Sequence, residues 1–518
     1  MPDRWLRQEG SATAAWTVLG ALMAMAALIA LADDTTMERG APDAPAPTLT
    51  VAVGDEIPAS EAKGAIPIVV TGNVQAMLQW CACETGTGFL AAKRATVIRQ
   101  EREGAILIDA GEAFSGDTDL DRRRGVTQLQ IMESLGYDAA LLGPDALALG
   151  AEFPPAVLSQ SEVAWACANL AIDGTPTTVW GRMREWEGRK VALVALVSAA
   201  MWPEAPRAKP RVVVEDPIGA YLSVVNRERP DVALAYGRLS EEDVRRLSTS
   251  ERPPEAVFTS AKAPRERLGG MGRVYNVPDD PNSGYIEYPN AREFVGATAV
   301  YYTEVLGASG LISVRIGRRS QGYRHVQATG RTPDDPATKT ATDGYFAQVR
   351  DTARQDAGKH VKSAWKEEVA GGRRFVGAHS CRECHSAEWT QWSGTKHAGA
   401  YMAVVSNDRW FYPLCVSCHS TGLGQPSGFE IGDEPLTASA LIRLTAPAPK
   451  PMPQPPYGLE GVQCEVCHGP GSAHVADPGT KGTIARQLPV EGCVECHDTK
   501  NSPDFRQETD EYRIRIQH

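Results

Sequence analysis

Four copies of one five-residue motif crowd the last third of this chain: Cys381-Arg382-Glu383-Cys384-His385, Cys415-Val416-Ser417-Cys418-His419, Cys464-Glu465-Val466-Cys467-His468 and Cys493-Val494-Glu495-Cys496-His497. Each is C-x-x-C-H, the spacing at which two thiols reach the two vinyl groups of one porphyrin and the adjoining imidazole reaches its iron. Around the motifs apolar periodicity disappears, and Cys, His, Gly and Pro dominate, with a Pro-rich run from Pro447 to Pro456. A stretch this rich in loops needs something besides an apolar core to hold it. Covalently attached haem is the simplest candidate, in four copies.

Two other chemistries use paired cysteines. Zinc ribbons set C-x-x-C units about 15 to 20 residues apart, whereas 30, 45 and 25 residues separate these pairs. Zinc also has no need of a histidine beside every pair. Disulfides suit an exported chain but leave the four adjacent histidines unexplained. The histidine supply fits haem: of ten in the chain, none precedes His325 and eight lie between residues 373 and 518. Four are the motif histidines. The remaining His379, His397, His474 and His518 match four distal positions, with only Met402 and Met452 as thioether competitors. Bis-histidine iron is therefore expected, at generally lower potential than His/Met iron. Trp389, Trp392, Trp410, Phe411 and Tyr412 read as haem-packing residues.

The other segments are chemically different. With 518 residues, 42% of them hydrophobic, the chain is long enough for several folded units. Its net charge of -11 argues against nucleic-acid partners. Arg4 and Arg7 precede an uncharged stretch from Gly10 to Ala32, so residues 1–32 read as a signal anchor or a cleaved signal peptide. Residues 33–48 read as a disordered linker. From Leu49 to about residue 331, apolar runs at 66–70, 105–108, 139–142, 191–197, 232–236 and 256–258 alternate with helical stretches. That alternation predicts an α/β sandwich. A helical connector is expected over 332–372, followed by a mainly α, loop-rich multihaem cytochrome c domain over 373–518.

Over about Phe375 to His518 the chain resembles the cytochrome c-552/4 family of tetrahaem cytochromes. The resemblance rests on Phe375-Val376-Gly377, on Trp392 to Ala398, and on the run from Gly461 through Cys464-Glu465-Val466-Cys467-His468 to His474. It implies closely stacked bis-histidine haems c that accept electrons from a redox enzyme, and distal roles for His397 and His474. His379 departs from the pattern, and which iron it serves stays open.

Residues 62 to 315 resemble the periplasmic 5'-nucleotidase type of metallophosphoesterase, through Gly88 to Thr96, Leu107 to Glu112 and Leu135 to Ala139. The resemblance implies a four-layer α/β sandwich. A working dimetal site needs carboxylates and several histidines. Here the corresponding stretches read Thr71-Gly72-Asn73-Val74, Asp109-Ala110-Gly111-Glu112 and Gly143-Pro144-Asp145-Ala146, without one histidine. Asp109, Glu112 and Asp145 would form a weak hard-cation site at best, or be vestigial. A C-x-C, Cys81-Ala82-Cys83, belongs to the same resemblance; it could close a labile disulfide or have no redox role. Cys167 reads as a buried residue.

The expected function is that of an exported electron carrier, periplasmic or extracytoplasmic, held at the inner membrane if the N-terminal helix is uncleaved. Its partners would be redox proteins or quinol-linked electron donors. The alternative is an oxidoreductase acting on a small nitrogen or sulfur compound at a five-coordinate haem. Phosphoesterase activity is not expected.

Overall fold

The computed structural model describes residues 50–55, 63–79, 91–148 except 117, 158, 160–202 except 178, 212–262, 264, 273–276, 284–287, 292–303, 310–317, 321–328, 332–433 except 363, 458–486 and 490–497. The signal and linker segments, Cys81, Cys83 and His518 lie outside these residues. From Thr50 onward the chain forms one compact unit.

Two sheets stack face to face. The first has seven strands in the order Thr50–Asp55, Gln321–Ala328, Gly310–Ile316, Ile66–Thr71, Ile106–Asp109, Ala139–Leu141 and Ala164–Ala166. Its last four strands run parallel, and the remainder pair antiparallel. The second has six, in the order Arg292–Val295, Thr298–Tyr302, Ala256–Thr259, Val232–Arg238, Arg189–Val197 and Gly181–Trp186. Its four inner strands are parallel, with an antiparallel strand at each edge. Strands covered on both faces read as near-continuous apolar runs, which is why Val191 through Val197 are all completely buried. All six apolar runs anticipated from the sequence are strands.

Side-chain alternation assigns the layers. Ile68, Val70 and Ile108 point between the sheets, against Leu193, Tyr236, Phe258 and Tyr301. Val69 and Leu107 point the opposite way, toward helices. These include α1 (Ala91–Glu101) and α2 (Asp119–Leu135). Thr118 and Asp121 close a reciprocal capping box that starts α2, and Gly136 ends it in the left-handed conformation at φ 66°. Helix Pro217–Glu228 packs on the second sheet from its far side. The result is the expected four-layer α/β sandwich.

Next comes α3 (Pro336–Ala357), started by Asp335, whose carboxylate accepts the Thr338 N–H at 2.9 Å, with Pro336 at the first helical position. This helix joins the two halves. Asp335 accepts from Arg99 of α1 at 2.6 Å, and Asp356 at its far end pairs with Arg123 of α2. Tyr345, Phe346 and Val349 are buried in a cluster that runs on through Phe375, Tyr401, Trp410, Phe411 and Val416. Tyr345 and Tyr412 share a buried hydroxyl–hydroxyl hydrogen bond of 3.1 Å. Beyond Arg374 the described residues form short helical turns, with one isolated bridge between Ser420 and Glu460. Among the described residues no helix is long and apolar enough to cross a membrane.

Candidate functional site

Each C-x-x-C-H lies on or against one helical turn: His379–Arg382, Pro413–His419, Cys464–His468 and Val490–Val494. Residues three and four apart share a helix face, so both sulfurs and the imidazole are presented together. In the first and fourth motifs the turn is closed by the histidine N–H donating to the first cysteine carbonyl, His385 to Cys381 and His497 to Cys493, each at 2.9 Å.

Long-range contacts hold the turns in register. Glu465 is completely buried, and both its oxygens accept only backbone N–H groups: Oε1 from Gly471 at 2.7 Å and Val376 at 2.9 Å, Oε2 from Gly377 at 2.7 Å. Gln463 accepts the Ala378 N–H at 2.7 Å and donates to Gly458 and Glu460 carbonyls. The third motif is thereby tied to the lead-in of the first. Gly461, at φ 79°, passes so close to the turn after His397 that a Cβ would stand 2.7 Å from the Ala398 oxygen. Beside it, Val462 N–H donates to the His397 carbonyl at 2.9 Å, and Trp392 donates to the Val462 carbonyl at 2.9 Å.

Four of the imidazoles stand in two close pairs. His385 faces His474 with ring centroids 6.2 Å apart, and His397 faces His497 at 6.0 Å. With metal–imidazole bonds of about 2.0 Å and a ring nitrogen about 1.1 Å from its centroid, one metal between two opposed imidazoles requires about 6.2 Å. The other two motif histidines place Nδ1 against backbone carbonyls, His419 against Ala400 at 2.6 Å and His468 against Ala485 at 2.9 Å. Donation from Nδ1 fixes the tautomer whose lone pair is on Nε2, the nitrogen that would bind a metal. The donor set therefore fits haem. His379 packs against Trp389 at 4.9 Å, and Trp389 against Trp392 at 5.1 Å. Trp410, Phe411 and Tyr412 are buried, Trp410 edge-on to Phe411 at 5.4 Å.

The attachment sulfurs also adjoin one another. Cys381 lies within side-chain reach of Cys464, and Cys418 within reach of Cys496. Cys467 and Cys493 lie within electrostatic reach of each other, while burial pushes the Cys467 thiol up to about 11. A small cleft opens beside Cys418 and Cys496, bordered by Lys362, Trp365, Phe375 and Gln425. Among the described residues no cysteine is in a disulfide, and no three His, Cys, Asp or Glu side chains form a metal-binding group.

That last observation extends to the α/β half. At the carboxyl ends of both sheets, Glu112 is engaged by Arg238 at 2.8 Å, by Asn73 at 2.9 Å and by Gln75 at 3.1 Å. Asp109 accepts from Thr71 at 2.7 Å and from the Gly111 N–H at 2.9 Å, and burial pushes its carboxyl up to about 6. Asp145 accepts the Phe114 N–H at 3.0 Å and is pushed up to about 7, again by burial. Protein donors thus engage Glu112, Asp109 and one oxygen of Asp145, while Asp145 Oδ1 is buried without a hydrogen bond. Arg238 went unnoticed in the sequence because it ends a strand of the other sheet. Cys167 is fully buried beside Asn169, its thiol pushed up to about 12 by burial.

Comparison with known proteins separates the two halves in the same way. The family described as cytochrome c554 and c-prime matches residues 380–440. Cytochrome c-554 of Nitrosomonas europaea is 31% identical, the match covering 25% of this chain and 60% of that protein, so the chain spans less than two thirds of its relative. Solved structures similar to the chain include a 5'-nucleotidase precursor from Thermus thermophilus, at 15% identity and TM-score 0.43, covering 55% of this chain and 59% of that one. Another is the calcineurin-like phosphoesterase YfkN from Bacillus subtilis, at 13% identity and TM-score 0.41, covering 55% of this chain and 97% of that one. The C-terminal segment is that of a c-type cytochrome, with haem c as its cofactor.

Proposed function

We propose that this chain is an extracytoplasmic electron carrier holding four covalent haems c. Haem c, when bound, supplies a one-electron carrier at each site. In this reading Cys381 and Cys384, Cys415 and Cys418, Cys464 and Cys467, and Cys493 and Cys496 form the thioethers. His385, His419, His468 and His497 are the proximal ligands. His474 and His397 are distal to His385 and His497, and His379 and His518 are the two further axial candidates.

The opposed imidazole pairs at 6.2 and 6.0 Å carry this reading. The sulfur neighbours add an order: the first site adjoins the third, the third the fourth, and the fourth the second. A continuous file of redox sites suits conduction through the protein. Residues 373–518 form the carrier domain, 332–372 its helical connector, and 49–331 a phosphoesterase-like domain whose cleft is filled by its own ion pair. Residues 1–32 direct export, as a cleaved signal or as an anchor at the inner membrane. Partners are redox proteins or quinol-linked donors. Protein-film voltammetry tests the function. Reversible waves for all four sites, unchanged by hydroxylamine, nitrite or sulfite, are expected; a catalytic current with one of these would favour an oxidoreductase instead.

A further inference from the structure

Charged side chains of both signs, outside the motif cysteines and histidines, stand beside the motif sulfurs. Lys362, just past α3, extends its ammonium to the Glu495 carbonyl inside the fourth motif and faces both Cys418 and Cys496. It borders the cleft those sulfurs share. Arg409 adds a second cation beside Cys415, its guanidinium stacked 3.5 Å over Phe346. Glu465 lies within the third motif and acts electrostatically on both Cys381 and Cys464. Its two oxygens meet only N–H donors, within 2.7 to 3.1 Å. Burial pushes the Glu465 carboxyl upward, and those same donors oppose the rise. A protonated carboxyl would set an O–H against one of them, so the cage selects the carboxylate.

We propose that these charges divide the four haem sites into two electrostatically distinct pairs, with Lys362 raising the reduction potential at the second and fourth sites and Glu465 lowering it at the first and third. The inference rests on the four-haem reading. Reduction adds one negative charge, so a nearby cation favours the reduced state and a nearby anion disfavours it. Partial burial keeps both effects strong, because desolvated charges are weakly screened. Each has a local countercharge: the Glu495 carboxylate faces Lys362, and Arg382 of the first motif lies over Trp389 at 5.3 Å. Electrons entering at the first site therefore run downhill along the file toward the second, which is the end that packs on α3 through Tyr412 and Tyr345.

Potentiometric titration of holoprotein variants, followed by haem absorbance and EPR, tests this. Lys362→Gln is expected to lower the potential at two of four sites, changing their reduced-to-oxidised ratio at fixed potential about tenfold, about 59 mV for a one-electron couple. Lys362→Arg keeps the charge and should keep the parent potentials. Glu465→Gln is expected to raise the other two, and the double variant to narrow the spread, since charges at separate sites act additively. If Glu465→Gln fails to take up haem, the Lys362 variants decide alone. Four haems by intact mass, with Lys362→Gln moving no site or all four equally, would overturn the inference; fewer than four in the parent protein would overturn the four-haem reading instead.

Discussion

His385 and His474 face each other across 6.2 Å, with ring planes tilted by 33°. One residue comes from the first motif and the other from the short helix after the third, Ser472–Ala476. Gly471, which precedes that helix, donates its N–H to Glu465, and Arg374, which precedes the first motif, donates its backbone N–H to Ser472 Oγ at 2.9 Å. The two segments that bring the imidazoles together are thus fastened to each other through the third motif.

Replacing His474 by Met should raise the potential of one haem and leave the others in place, because a thioether ligand favours the reduced iron. His474→Ala should instead convert one haem to the high-spin state. Optical and EPR spectra check both. Unchanged spectra and potentials in the two variants would remove His474 as a ligand.

The cleft between the sheets should be inert toward phosphate esters. With Glu112 held by Arg238, Asn73 and Gln75, added manganese or zinc finds no open carboxylate cluster, and hydrolysis of a nucleotide ester should stay at the metal-only background. Arg238→Ala should weaken the fold by about 1–2 kcal/mol, an ion pair of this partial exposure lying between the surface and buried limits. Denaturant midpoints measure that cost. Efficient metal-dependent hydrolysis would contradict the assignment.

Asp109 gives a pH signature. Its folded carboxyl is raised to about 6 by burial, above the unfolded value of about 3.9. The folded state therefore binds the extra proton, and the associated stability is complete below about pH 4 and lost as pH rises through about 6. Asp109→Asn lacks this dependence. The stability of the parent minus that of the variant should fall by about 2 kcal/mol between pH 4 and pH 7.5. Comparing the two cancels the opposite trend from His325, a fully interior ring held down near 4 by burial. A difference that does not change with pH would place the ionised form of Asp109 in the native structure.

The seam along α3 should be sensitive to charge removal. Asp356 is buried and takes hydrogen bonds from Arg123, Thr352 and Lys359. Arg123→Ala removes the contact that reaches it from α2, at a cost of about 1–2 kcal/mol. Combined with Tyr345→Phe, which removes the 3.1 Å hydrogen bond to the Tyr412 hydroxyl, the loss should approach about 3 kcal/mol if the two sites act independently. Urea midpoints of the single and double variants test this.

Covalent chemistry made the cytochrome half legible. Two sulfurs and an imidazole must serve one porphyrin, so they stand within five residues of each other and can be recognised locally. Counting histidines left His379, His397, His474 and His518 as distal candidates, but which imidazole each one meets depends on contacts such as Val462 with His397, far apart along the chain. In the α/β half the apolar runs marked strands because both sheet faces are covered. The strand Gln321–Ala328 gave a weaker signal, since Arg324, His325 and Gln327 interrupt it, and His325 is buried without being a ligand. The absence of histidine around Asp109, Glu112 and Asp145 was visible; the ion pair of Glu112 with Arg238 was not, because a contact between two sheets leaves no local pattern. Lys362 and Glu465 were hidden for the same reason, each drawing its meaning from a partner segment.

Intact-mass measurement of the matured protein, paired with the pyridine haemochrome spectrum, tests the central claim most directly. Four covalent haems per chain are expected, persisting after denaturation because thioethers hold them. A chain carrying fewer haems, or one whose C-x-x-C-H cysteines bind zinc or form disulfides, would contradict the account.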